Sequence, residues 1–537
     1  MKKAIVITLA MALALVLSLV AIPAQAATED EIQNAIEKGK AWLVSQQNPD
    51  DGSWGAYDQV AHTGLAVVKL EEQAWELGLD PIDPAYKYSK NVVAGLNYIF
   101  GQAAAPVCDD DTVCDGIVFA QGWHETYSTG IAMMAIAASK APDRKVDVAG
   151  SFVDGWTYKE VVQANVDYFT CAQNPDGGWR YWCFDVGSDN SNTGYAVLGL
   201  IYAEAPQYGF ECIVSDTLKT NLSAWIDAIQ NDVDGDTDDG GSDYTVGCDD
   251  VDNDGDGLVD EDPRDGLDND GDGWTDEDPS GCWVNLLKTG NLLTEMALVD
   301  DPVGAGRVQD AIDYIERHWN DANQDPGWKG PPPHYQAMYC LMKGLAIYGI
   351  ETITVDSAQV NWYDEMAEAI VRTQNADGSW PIDYWGDEIL STAWALLTLE
   401  VVIPDIVPPE VWSVETANPA GKKIPPAGST TLPGPKGGMN EDGFYQLFAK
   451  DNKDPNPLIY VTDLNITKVF GPFTSGTVVK FTEAKGAVPS CKKIGSSVGK
   501  AGYVSWHITL PTDAVVVAVD QSGNWSWEIQ YVPPLPK

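Results

Sequence analysis

The stretch NPDDGSW, Asn48 to Trp54, decides how this chain is read, because it returns. NPDGGW spans Asn174 to Trp179, and NADGSW spans Asn375 to Trp380. Each copy follows a Gln that closes a run with helical periodicity. In EIQNAIEKGKAWLVSQQ that spacing falls on Ile32, Ile36, Leu43 and Val44. The Gly tolerates tight turn geometry, the Asp or Asn favours a side-chain bond to nearby backbone, and the Trp supplies a large apolar face. The turn therefore reads as the closure of a helical hairpin, a structural element and not an active site.

Working outward, the same grammar recurs about six times. HTGLAVVKLEEQAWELG follows the first turn, and the pairs continue to YDEMAEAIVRTQ followed by LSTAWALLTLEVV. The second run of each pair is apolar on most sides, which predicts burial. Thr63, Thr129, Thr193, Thr289 and Thr392 stand near the starts of these runs, where a hydroxyl suits helix capping. Six buried helices inside six amphipathic ones predict a mainly α fold, a closed α6/α6 toroid. An open solenoid would need polar capping repeats, and none is visible.

Lys38-Gly39, Trp42-Leu43, Gln47 and Gly52-Ser53-Trp54 resemble the QW repeat of the squalene–hopene cyclase and protein prenyltransferase superfamily. Gln173 with Gly177 and Trp179, and Gln374 with Gly378 and Trp380, form partial copies. NQDPGW, Asn323 to Trp328, reads as a degraded fourth. The resemblance covers residues 30–402 and implies the toroid fold. It does not extend to the family's chemistry. The match to the cyclase DxDD acid motif, Asp236 to Asp239, lies in an acidic insert. Of the prenyltransferase zinc trio, Cys282 and His334 are on offer, but in register with the family the His falls on Ala337. Zinc is therefore not expected, and the chain leans away from being an enzyme.

The formal net charge of −48 argues against a nucleic-acid partner. At the N-terminus, two Lys, a long apolar run and Ala24-Gln25-Ala26 predict a secretory signal over residues 1–26, cut after Ala26, with an uncleaved anchor as the rival. No later segment is apolar enough to span a membrane. Export makes disulfides plausible among the 9 Cys. Cys108 lies near Cys114, Cys171 near Cys183 and Cys248 near Cys282, although nearness in sequence does not fix connectivity. Cys212, Cys340 and Cys491 remain.

Residues 232–280 form the acidic insert. Two copies of DNDGDGxxDEDP place Asp252, Asp254 and Asp256, then Asp268, Asp270 and Asp272, at alternating positions before a turn Gly. This is the oxygen-rich spacing Ca²⁺ prefers. The loops resemble dockerin and thrombospondin type 3 calcium loops, with Pro263 and Pro279 where an EF-hand carries its last Glu. Asp260 and Asp276, or Asp262 and Asp278, would complete the shells, so two or more Ca²⁺ sites are expected.

Residues at the starts of the inner helices would face one mouth of the toroid: Asp58, His62, Trp123, His124, Glu125, Tyr127, Trp182, Asp185, His334, Tyr335, Asp383, Tyr384 and Asp387. Acids, His and aromatics in such a cluster suit a glycan ligand. After a linker at 403–415, residues 416–537 alternate apolar and polar positions between Gly, Pro and Asn turns, and VAVDQSGNWSWEI resembles the closing hairpin of Ig-like surface domains. Asn221, Asn465 and Asn524 stand in N-x-S/T sequons. The sequence thus predicts an exported, calcium-binding surface or secreted protein whose cavity binds a ligand of the glycan class, with no protein partner identified. The alternative is an enzyme, cyclase-like or glycan-cleaving, using the same cavity.

Overall fold

The computed structural model describes residues 26–108, 114–120, 124–183, 185, 187–231, 239–246, 283–321, 327–383, 386–402, 410–415, 444–451, 456–483, 489–493, 505–520 and 525–530. Among these, twelve α-helices form six pairs: α1 (Glu29–Ser45) and α2 (Gln59–Glu76), α3 (Ser89–Gly101) and α4 (Glu125–Ala138), α5 (Tyr158–Cys171) and α6 (Asn190–Glu204), α7 (Asp216–Ile229) and α8 (Leu286–Leu298), α9 (Gly306–His318) and α10 (Tyr335–Ile347), α11 (Trp362–Thr373) and α12 (Glu388–Leu399).

The odd-numbered helices are amphipathic. α1 buries Ile32, Ala35, Ile36 and Leu43 on one stripe, and Thr28 with Glu31 closes a capping box at its start. The even-numbered helices α4, α6 and α8 are buried along nearly their whole length. They form the inner layer. α2 packs on α4, α4 on α6, α6 on α8, α8 on α10 and α10 on α12, and α12 returns to α2. Gly130 lets two of them touch backbone to backbone, since a Cβ there would stand 2.2 Å from the Tyr195 carbonyl oxygen.

The repeated turns share one wiring scheme. Gln47 Nε2 donates to the Gly52 carbonyl at 2.9 Å and to Asn91 on the next outer helix at 3.0 Å. Gln173 does the same to Gly177 and Leu218, and Gln374 to Gly378 and Ala35. That last bond joins the sixth hairpin to the first. The indoles of Trp54, Trp179 and Trp380 donate back to Leu43, Phe169 and Ile370. A further copy sits where the sequence concealed it. Gln230 donates to the carbonyls of Gly240 and Arg307, and Asn231 N donates to Gly241 O. Residues 232–239 are spliced between its Asn and its Gly. Most of the copy read at Asn323 to Trp328 lies outside the described residues; Trp328 is buried against Trp319.

One expectation needs correcting. Thr63, Thr129, Thr193, Thr289 and Thr392 do not cap the inner helices. Each Oγ1 accepts a backbone N–H, from Trp54, Phe119, Trp179, Ser242 and Trp380 in turn, at 2.9 to 3.2 Å. The hydroxyl satisfies a donor buried in the turn, which is costlier to strand than one at a helix end. The N-caps lie four or five residues before these Thr, at Asp58, His124, Asp189, Asn285 and Asp387, and His334 holds the same place on α10. Cys108 does not pair with its neighbour Cys114, nor Cys171 with Cys183; nearness in sequence alone leaves that connectivity open. The bonds are Cys108–Cys183 and Cys114–Cys171. Each joins the α3–α4 connection to the end of α5 or the turn beyond it. Cys212, Cys340 and Cys491 are free thiols, and Cys248 and Cys282 lie outside the described residues.

Two short antiparallel pairs interrupt the helical part: β1 (Ala103–Ala104) with β2 (Val118–Phe119), and β3 (Thr352–Val355) with β4 (Ala358–Asn361). The C-terminal region holds β5 (Glu410–Glu415), β6 (Phe444–Lys450), β7 (Leu458–Asp463), β8 (Phe470–Phe473), β9 (Val478–Glu483), β10 (Ser490–Lys493), β11 (Ser505–Leu510), β12 (Ala514–Val519) and β13 (Trp525–Gln530). They make a five-stranded sheet, β10-β11-β9-β6-β5, and a four-stranded sheet, β13-β12-β7-β8. Leu447, Phe481 and Ile508 from the first share a core with Ile459, Val461 and Val516 from the second. The pairing of β9 with β11 is parallel. Glu410–Glu415, within the linker expected at 403–415, is strand β5, paired along β6 with Ser413 buried. Among the described residues no helix is long and apolar enough to cross a membrane.

Candidate functional site

A cavity of about 340 Å³ opens where the inner helices begin, and all six contribute to its lining. Leu65 of α2, Ile131 of α4, and Leu390 and Trp394 of α12 give it apolar surface. Polar groups enter from the first turns and the connections before them: Asp58, His62, His124, Tyr127, Tyr181, Ser191, Tyr244, Asn285, Lys288 and Gln336.

Two His–carboxylate pairs converge here. His124 Nδ1 lies 2.9 Å from Asp58 Oδ1. His62 Nε2 lies 3.0 Å from Asp387 Oδ2, and its Nδ1 lies 3.0 Å from the Asp58 carbonyl oxygen. An ionised Asp387 and the Asp58 carbonyl can only accept, so the protonated ring, with a hydrogen on each nitrogen, is the form that satisfies both. Burial pulls the His62 pKa down, but the Asp387 hydrogen bond and charge and the Asp58 carbonyl outweigh it, leaving a raised value. Burial likewise pushes Asp387 up, and the bond and charge of His62 with the α12 backbone donors bring it below the usual carboxylate value. Asp387 Oδ1 meanwhile caps α12, accepting from Ile389 N and Leu390 N at 2.9 Å each.

An aromatic wall stands beside these pairs. The Tyr127 ring meets His124 edge-on at 5.7 Å and Tyr195 at 5.3 Å. Tyr244 stacks on Trp283 at 4.9 Å, and the Lys288 ammonium lies 3.8 Å from the Trp283 centroid. The Tyr127 hydroxyl lies 2.5 Å from Ser191 Oγ, which donates to Asp189 Oδ1 at 2.8 Å. Burial, then the Asp189 charge, drives the Tyr127 phenol well above its ordinary pKa.

Of the residues expected at the mouth, Asp58, His62, His124 and Tyr127 line the cavity, and Asp387 reaches it through His62. Glu125 does not. It is buried, facing α5, where Tyr168 donates to it at 2.8 Å. Tyr335 is also buried on the outer side, bonded to Thr373 of α11 at 2.9 Å. In both cases the neighbour one place along a helix is rotated about 100° away from the cavity-facing residue. His334 caps α10 through Ala337 N and lies 3.5 Å from Asp383, whose carboxylate accepts from Gln336 N and Gly386 N. Asp185 stands 3.8 Å from Arg180. None of these three lines the cavity. Trp123, Tyr384 and all the proposed calcium ligands lie outside the described residues.

The sequence reading missed Tyr181, Ser191, Tyr195, Tyr244, Trp283, Lys288, Gln336 and Trp394. A signal existed for some: Ser191 and Tyr195, and Leu390 and Trp394, are i, i+4 pairs in the first turns of inner helices, the spacing of His62 from Asp58. Among the described residues no group of three or more His, Cys, Asp or Glu is placed to hold a metal.

No family model matches the chain, and no curated protein matches it. Among solved structures it is similar to the apo type II terpene cyclase MstE from Scytonema, at 12% identity and a TM-score of 0.39, over 70% of this chain and 98% of that one. It is similar to the cellobiose 2-epimerase from Spirochaeta thermophila, at 9% identity and a TM-score of 0.40, over 70% and 98%. Likenesses of this depth carry no chemistry across to this chain.

Proposed function

We propose that this is an exported enzyme whose helical ring is an α6/α6 toroid, and that its mouth cavity binds and transforms a hydroxyl-rich ligand of the saccharide class by general acid–base catalysis. One observation carries the reading: the pairs Asp58–His124 and His62–Asp387 meet at one cavity, linked through Asp58, which holds one His by its carboxylate and the other by its carbonyl. An acid and a base held side by side are what proton transfer to and from a ligand requires. Residues alone favoured binding without catalysis; this convergence supports the enzymatic alternative. Aromatic rings with hydroxyl, imidazole and amide groups set between them suit the apolar face and polar edge of a sugar ring.

The test is thermal unfolding of the mature chain in Ca²⁺ against mono- and oligosaccharides and against isoprenoids, with products followed by NMR. A saccharide should raise the midpoint and be converted, and His124→Ala should keep the shift while losing conversion. A shift with isoprenoids alone overturns the reading. A saccharide shift without conversion at any pH reduces it to a binding protein.

The insert is proposed to bind two or more Ca²⁺ through Asp252, Asp254, Asp256, Asp260 or Asp262, and through Asp268, Asp270, Asp272, Asp276 or Asp278. Ligand spacing supports this, and calorimetric titration with Ca²⁺ before and after chelator tests it. The C-terminal sheets are proposed to be an Ig-like sandwich acting as a spacer.

A further inference from the structure

The cavity wall contains a chain of hydroxyls that the His pairs do not use. Tyr127 and Ser191 line the cavity, and Asp189 lies behind them, fully buried as the N-cap of α6. Tyr127 Oη is 2.5 Å from Ser191 Oγ, and Ser191 Oγ is 2.8 Å from Asp189 Oδ1. Tyr244 Oη approaches the same Ser191 oxygen at 3.4 Å.

The direction of the hydrogens follows from Asp189. Its Oδ1 also accepts from Asn192 N at 2.7 Å, and its Oδ2 accepts from Asn192 Nδ2 at 2.8 Å. A carboxylate ringed by donors acts only as an acceptor. Ser191 has one hydroxyl hydrogen, and it goes to Asp189. The Ser191 oxygen must then receive, so Tyr127 donates to it. The phenol's only hydrogen is thereby committed to Ser191, so toward a ligand its oxygen can act only as an acceptor.

We infer that Asp189 is a positioning residue: through Ser191 it fixes Tyr127 as a hydrogen-bond acceptor, so that this wall selects a ligand bringing an O–H donor. The inference rests on the saccharide reading for the ligand's class, but the relay itself exists or fails without any ligand. A hydroxyl donor meeting this oxygen gains a bond, whereas an ether or hydrocarbon there would leave it unpaired, which is costly in a dry site.

The ligand-free test is hydroxyl-proton NMR of the full chain, deuterated except at Tyr. A downfield, slowly exchanging hydroxyl proton should be present in the wild type and absent from Tyr127→Phe. It should move upfield or vanish in Ser191→Ala and in Asp189→Asn. A signal removed by Tyr127→Phe but unmoved in Ser191→Ala overturns the relay, as does no such signal in the wild type. Asp189 also caps α6, so if Asp189→Asn unfolds, Ser191→Ala decides alone. Thermal shifts with saccharides are read separately. Ser191→Ala should lose most of the wild-type shift with a free sugar and little with its O-methylated form, and equal losses on both overturn the selectivity. If no saccharide shifts the wild type, the proposed function and this selectivity both fall, while the proton signal still decides the relay.

Discussion

Asp58 and His124 cap neighbouring inner helices from the left-handed region of backbone space, at φ of 43° and 68°, and their side chains meet at 2.9 Å. Neither side chain makes the usual capping bond. Two non-glycine residues held in this costly conformation, and joined across a cavity wall, mark a site where local stability yields to function. Asp58→Gly relieves the strain at one of them. It should leave stability unchanged or raise it by up to about 1 kcal/mol. Conversion of ligand should fall by roughly 100-fold or more, because His124 loses the Asp58 carboxylate. Denaturant unfolding together with turnover checks this, and a variant that loses stability and keeps activity refutes it.

The His62–Asp387 pair has a defined pH window. His62 is raised, so its contribution is complete below the ordinary histidine value and disappears as pH climbs through the raised one. Asp387 is lowered, so its contribution is complete above the ordinary carboxylate value and disappears as pH falls through the lowered one. The pair is therefore strongest in mild acid. Asp387→Ala should drop the His62 titration midpoint and cost about 1 kcal/mol through the lost α12 cap. NMR titration of His62 reads the first effect; an unmoved midpoint would mean the two do not pair.

Glu295 is fully buried within α8, and burial pushes its carboxyl up to about 8 despite Trp225 and Lys343. The folded chain thus holds a proton that the unfolded chain releases in the ordinary carboxylate range. Stability should fall as pH rises from that range toward 8. Glu295→Gln removes this slope and should gain about 4 kcal/mol at pH 8 relative to the wild type, with little change at pH 4. Urea midpoints at both pH values measure it.

Tyr244 and Trp283 stack at 4.9 Å on the cavity wall, and the acidic loops run between them in sequence. If Ca²⁺ orders those loops, their two roots should register it. Trp274 lies inside the second loop, so the comparison is made without it: titration with Ca²⁺ should change tryptophan emission in Trp274→Phe and much less once Trp283→Phe is added. Equal changes in both would separate the loops from the wall.

Peptide mapping without reduction should recover Cys108 joined to Cys183 and Cys114 joined to Cys171. Their reduction should lower stability by about 2–4 kcal/mol per bond. Peptides joining Cys108 to Cys114 would contradict the pairing.

The hairpins were legible because Gln, Gly and Trp each serve a backbone partner at fixed spacing, and a pattern tied to local geometry survives in one dimension. Asp58, His62, His124 and Tyr127 were legible for the same reason: the starts of buried helices must point somewhere, and polar residues there are conspicuous. Glu125 and Tyr335 misled because one residue of offset turns a side chain from the cavity toward an outer helix. The copy at Gln230 was hidden because the acids spliced into its turn separate Asn231 from Gly240. Tyr244 and Trp283 flank the insert and become neighbours only once α7 and α8 pair, which no local pattern announces. The crossed disulfides likewise record which connections lie side by side.

The bond from Gln374 to the Ala35 carbonyl gives the first and last hairpins the same kind of neighbour that every middle hairpin has. A linear stack of helices frays from its ends, since each end unit has a partner on one side only. Here that distinction is erased for the helices. New termini could be cut into an outer turn and the old ones rejoined with the clasp intact, and α1 should resist amide exchange as well as α5 does.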